Sequence, residues 1–66
     1  MHPATEHILQ FFEHGHLPAN LSAVAAPFAE LAKTIAATLP DNPEKSAGLR
    51  KLLEAKDCAV RAVIAK

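Results

Sequence analysis

The sequence predicts an all-α fold: a helical hairpin preceded by a short additional helix, with copies assembled as an oligomer. Three observations carry this. Apolar residues recur at three- and four-residue steps over two long stretches. A Pro–Asp–Asn–Pro turn separates those stretches. The chain has 66 residues, 50% of them hydrophobic, and one cysteine. A core that small needs external support, and no internal disulfide can supply it, so self-association is the support that remains. Residues 1–66 read as one domain.

The short helix is expected over about residues 5–14. Thr5 is its candidate cap, Glu6 suits its first turn, and Gly15 is placed to end it in the left-handed conformation. Ile8, Leu9, Phe11 and Phe12 cover more than one of its faces, so it packs against two surfaces. His14-Gly15-His16-Leu17-Pro18 is a connector, after which Asn20 or Ser22 can cap the next helix.

That helix is expected over about 21–39. Leu21, Val24, Phe28, Leu31, Ile35 and Leu39 form its apolar stripe, and Pro27 interrupts it. The stripe keeps its phase across Pro27, which favours a bend there over a fresh start. Pro40 stops the helix, and Asp41 or Asn42 caps the third, expected over about 43–65. Pro43 lies in the first turn of that helix and Glu44 at its positive end. Leu49, Leu52, Leu53, Ala55, Ala59, Val60, Ala62, Val63 and Ile64 cover about half its circumference at ~100° per residue, too wide an arc for one partner helix.

Formal charge sums to zero but is unevenly spread. Residues 1–44 set Lys33 against Glu6, Glu13, Glu30, Asp41 and Glu44, a balance of −4. Residues 45–66 set Lys45, Arg50, Lys51, Lys56, Arg61 and Lys66 against Glu54 and Asp57, a balance of +4. The basic half reads either as a solvated face that pairs with acidic neighbours or as an anion-binding helix. Lys56 lies inside the apolar arc, either as a snorkelling lysine or as an anion contact in an intersubunit pocket. No apolar run is long enough to span a membrane, and the start lacks the pattern of a signal peptide. With a single cysteine, a cytoplasmic location is expected.

Metal-ligand spacing, a glycine-rich phosphate loop and a nucleophile elbow are all missing from the sequence. Neither catalysis nor a metal or cofactor is therefore expected. Cys58 reads as a small packed residue. Rings and cations make the more useful constellation: Phe11, Phe12, His14 and His16 near the end of the first helix, with Lys33, Lys45, Arg50, Lys51, Lys56 and Arg61 on the hairpin. Rings stack on bases while Lys and Arg hold phosphates. Phe11 is expected in the core. A neutral chain with few rings fits extended DNA poorly, and a compact phosphorylated ligand between subunits better.

The stretch Leu39-Pro40-Asp41-Asn42-Pro43-Glu44-Lys45-Ser46, followed by Leu49-Arg50-Lys51-Leu52-Leu53-Glu54-Ala55, resembles the turn and second hairpin helix of a phage hairpin-domain family. That family includes anti-CBASS and anti-Thoeris sponge proteins, which sequester the signals of bacterial defence enzymes. Phe11-Phe12-Glu13-His14-Gly15-His16-Leu17-Pro18 is similar to the family's lead-in segment, and the resemblance covers about residues 7–66. It implies a homo-oligomer, a hexamer, in the infected bacterial cytoplasm. Pockets between subunits would hold a cyclic di- or trinucleotide or a cyclic ADP-ribose-type ligand. Related sequences often carry tyrosine at the place of His14, so stacking on the base would fall to His14 or Phe12. They often carry a basic residue near Ala25-Ala26, so here phosphates would fall to Lys33 or Arg50. The expected ligand contacts are Phe12, His14, His16, Lys33, Arg50, Lys51 and Lys56. The alternative is a helical oligomeric interaction module that binds no nucleotide.

Overall fold

The computed structural model describes residues 2–65; Met1 and Lys66, the ends of the expected 1–66 domain, lie outside them. The described residues form three α-helices and no strand: α1 (Pro3–Leu9), α2 (Ala19–Thr38) and α3 (Pro43–Ile64). A 3₁₀ turn, Gln10–Phe12, extends α1. The molecule measures 38 × 20 × 16 Å, with α2 and α3 as an antiparallel hairpin and α1 lying across both.

The cap of α1 differs from expectation. His2 is the cap, its Nδ1 accepting from the Ala4 amide at 3.1 Å, and Pro3 supplies the first helical position. Thr5 lies inside the helix and is buried, one member of a row with Ile8 and Phe12. Gly15 is not left-handed; the chain instead leaves the 3₁₀ turn through extended backbone at Glu13.

Helix α2 starts two residues earlier than the apolar pattern implied. Pro18 precedes it, and neither Asn20 nor Ser22 caps it. The Leu21 and Ser22 amides donate to the Pro18 carbonyl, so fixed proline geometry starts the helix. It continues as one element through Pro27, which excludes a fresh start there. Asn42 caps α3 as expected, its side chain accepting from the Lys45 amide at 2.9 Å.

The expected core of α2 is corrected in part. Ala25, Ala29, Ala32 and Ala36 are its buried row and Phe28 and Ile35 pack partly buried against the core, while Leu31 and Leu39 remain 49% and 50% exposed. The two rows lie about a quarter turn apart at ~100° per residue. Small side chains let α3 approach closely, and Leu49 is fully buried beneath them. Two lysines lie on the same buried row of α3. Lys45 Nζ donates to the carbonyls of Ala36 and Leu39 and to Asp41 Oδ1, at 2.9, 2.9 and 2.8 Å. It thereby satisfies carbonyls at the negative end of α2.

Candidate functional site

The connector over residues 10–17 forms a wall between two grooves. On one side α1 and the connector meet α2, giving a groove of about 570 Å³. Phe12, His14, Glu6, Glu13 and Lys33 line it. On the other side the connector meets α3 in a groove of about 340 Å³, lined by Phe11, His16, Glu13, Lys56, Asp57 and Arg61 among others. The seven expected contacts are therefore divided. The first groove takes Phe12, His14 and Lys33, and the second takes His16 and Lys56. Arg50 and Lys51 line neither and are exposed on α3.

The two phenylalanines exchange their expected roles. Phe12 is 2% exposed and packs in the core with Ile8, Ala29, Ala32 and Leu49, so its ring offers almost no face to a base. Phe11, expected in the core, is 50% exposed. The His7 ring meets it edge to face, with centroids 5.6 Å apart at 80°. Gln10 Nε2 in turn donates to the His7 carbonyl at 2.8 Å and contacts His7 Nδ1 at 3.1 Å. Phe11 is thus held in place while part of its surface stays open.

Lys56 is buried and engaged. Its ammonium donates to the Phe11 carbonyl at 2.9 Å and pairs with Asp57 Oδ1 at 2.8 Å. It is neither a snorkelling lysine with a free head nor an unoccupied anion contact; it ties the 3₁₀ turn to α3. Lys45 is likewise committed to protein acceptors. Arg61 is the exposed cation of the second groove, and its Nη2 lies 3.4 Å from Cys58 Sγ, a weak acceptor. In the first groove, Lys33 faces Glu30 at 4.0 Å, with both side chains largely in solvent.

His14 shares a 2.7 Å hydrogen bond with Ser22 Oγ, its direction set by the imidazole tautomer. That bond ties the connector to the first turns of α2. His14 is half-buried, so stacking on a base would compete with this bond. His16 is exposed. Among the described residues, no group of three or more His, Cys, Asp and Glu side chains is arranged to hold a metal ion. No described helix is long and apolar enough to cross a membrane.

Among the described residues, Asp41 is the one side chain whose carboxyl shifts clearly. The hydrogen bond from Lys45 holds it below the ordinary 3.8; desolvation opposes that lowering, and the Lys45 charge adds to it.

Comparison of the chain with protein-family models, with curated proteins and with solved structures finds no match in any of the three.

Sequence reasoning placed Phe11 and Arg61 in the ring-and-cation set but did not choose them as contacts, and it missed His7. The signal for Phe11 was available. Thr5, Ile8 and Phe12 share a face at three- and four-residue steps, which puts Phe11 about 100° away from it.

Proposed function

We propose that this chain is a non-catalytic sponge. It sequesters a cyclic di- or trinucleotide or a cyclic ADP-ribose-type immune signal in grooves closed between subunits of a homo-oligomer in the infected bacterial cytoplasm. The observation that carries the reading is the groove that brings the positioned, half-exposed Phe11 ring beside His16 and Arg61. A ring offers a stacking surface for a base and an arginine a bidentate donor for phosphate. The resemblance of residues 7–66 to the hairpin-domain sponges supports the same ligand class.

The electrostatics of the groove support closure by a second subunit. Lys56 and Asp57 neutralise each other, and Glu13 opposes Arg61. One protomer therefore presents no surplus of positive charge to a ligand with two or more phosphates. Arg50 and Lys51, exposed outside both grooves, are the cations a neighbour can bring. Binding involves no bond-breaking, so the ligand leaves as it arrived.

Calorimetry with a panel of cyclic di- and trinucleotides and cyclic ADP-ribose isomers tests the reading. Binding at micromolar Kd or tighter, with intact ligand recovered after proteinase treatment, is expected. A panel in which nothing binds better than millimolar rejects it, and a degraded product indicates an enzyme instead.

A second reading rests on a different observation. Leu31 and Leu39, half-exposed beside the partly buried Phe28 and Ile35, give α2 an apolar edge that suits an interaction module binding no nucleotide.

A further inference from the structure

The groove between the connector and α3 holds a side chain that phosphate binding leaves unexplained. Asp57 lines it together with Phe11 and Arg61. A carboxylate repels phosphate, so a groove built for phosphate alone gains nothing from one. Asp57 is nonetheless held in place. The buried Lys56 ammonium pairs with Asp57 Oδ1 at 2.8 Å and donates to the Phe11 carbonyl at 2.9 Å. One cation thus fixes both the backbone that carries the ring and the carboxylate, and those two oxygens lie within two hydrogen-bond lengths of each other.

The ion pair occupies Oδ1 alone. The Asp57 side chain keeps 44% of its surface open, which leaves Oδ2 to a ligand. Arg61 stands one turn further along α3, at the spacing where it could pair with Asp57. Its Nη2 lies instead 3.4 Å from Cys58 Sγ, a weak acceptor. The groove therefore offers a ring, a fixed acceptor and a cation side by side.

We infer that Asp57 selects guanine as the base that stacks on Phe11, which narrows the ligand to a guanine-containing cyclic di- or trinucleotide. The inference rests on the sponge reading of this groove. A base on Phe11 turns one edge towards the carboxylate fixed beside the ring, and the edge that suits a carboxylate carries donors. Guanine presents N1–H and N2–H together, a fork like that of arginine, and both can donate to one carboxylate. Adenine presents a single amino group beside the N1 lone pair, which repels the second oxygen. Cytosine has the same fault at N3, and uracil flanks its one N–H with two carbonyls. Arg61 is left to the phosphate, so base and phosphate are met by different side chains of α3. Cyclic ADP-ribose isomers carry adenine and fall among the disfavoured ligands. A carboxylate serving only as the counterion of Lys56 would make no such distinction.

Calorimetry on the intact chain tests this with three cyclic dinucleotides that differ only at the base: cyclic di-GMP, cyclic di-IMP, which lacks the 2-amino group, and cyclic di-AMP. Wild type is expected to bind the guanine form about tenfold or more tighter than the adenine form, the discrimination of one bidentate base contact, with the inosine form between them. Asp57→Asn turns one acceptor into a donor, the pattern that suits adenine, so it should erase or reverse the preference, with circular dichroism reporting that the variant is folded. Equal affinity of wild type for the three, or tighter binding of any adenine-only ligand, overturns the inference and leaves the sponge standing. So does a folded Asp57→Asn that keeps the wild-type preference, or loss of preference in Glu13→Gln alone, which moves the selection to the other carboxylate of the groove. If Asp57→Asn does not fold, the wild-type series decides by itself, because it removes the donor from the ligand instead of the acceptor from the protein. Failure of the whole cyclic nucleotide panel to bind removes the sponge reading and this inference with it.

Discussion

The ammonium of Lys56, on α3, donates to the backbone carbonyl of Phe11, 45 residues earlier in the chain, at 2.9 Å. The bond fixes the 3₁₀ turn against the hairpin. With that turn fixed, Phe12 enters the core and the neighbouring Phe11 ring faces outward beside His7. A lysine in an apolar arc therefore helps hold the turn whose helical spacing turns Phe12 inward and leaves Phe11 as the ring a ligand could reach.

Lys56→Met keeps the aliphatic stem and removes the donor. It leaves the Phe11 carbonyl without this partner, and about 1.5–3 kcal/mol of stability should be lost, the range for hydrogen bonds to charged groups. In a chain of this size that lowers Tm by roughly 4–8 °C for each kcal/mol. Thermal unfolding followed by circular dichroism reads it, and an unchanged Tm removes the tie from the account.

The phenylalanines should separate stability from binding. Phe12→Ala empties a core position and should cost about 3–5 kcal/mol, enough to unfold much of a marginal domain. Phe11→Ala should change stability by less than about 1 kcal/mol while weakening nucleotide binding by tenfold or more, as loss of one stacked base implies. Equal stability losses from the two would contradict the assignment of inner and outer rings.

Arg61→Ala should weaken ligand binding by roughly tenfold to a hundredfold, the loss of one charged phosphate contact, without altering helicity. The same titration on Lys33→Ala reports whether the larger groove takes part. Binding that depends on Lys33 and ignores Arg61 would move the ligand to the α1–α2 side.

Asp41 makes the turn acid-sensitive. Its hydrogen bond with Lys45 lowers the carboxyl below the ordinary 3.8, so the contribution is present above that value and lost as pH falls through the folded-state value. Asp41→Asn should flatten the acid limb of the stability profile in that window and leave the neutral region's slope unchanged. A variant whose acid limb keeps the wild-type steepness excludes this carboxylate as a source of the acid sensitivity.

The hairpin could be read from the sequence because its signals are local. Asn42 has the short polar side chain a cap requires, Pro43 fits the first turn, and Pro40 ends the preceding helix, so the boundaries near residue 40 came out within a residue or two. The core of α2 could not be read the same way. A large-residue row and an alanine row lie a quarter turn apart, both keep helical phase, and hydropathy favours the large row. Close approach of α3 selects the small one, which only the packed structure reveals. Lys45 and Lys56 misled for a related reason. Their charges suggested anion binding, whereas Lys45 commits all three of its donors and Lys56 two of its three to carbonyls and carboxylates of their own chain. Of the expected contacts, His16 keeps an accessible place beside Phe11 and Arg61, while Phe12 turns inward.

Native mass spectrometry of the purified protein, alone and with the cyclic nucleotide panel, tests the central claim most directly because it reads subunit number and ligand mass together. The account predicts an assembly of several 7.0 kDa chains that gains the mass of an unmodified cyclic nucleotide. A folded single chain that takes up nothing from the panel would contradict it.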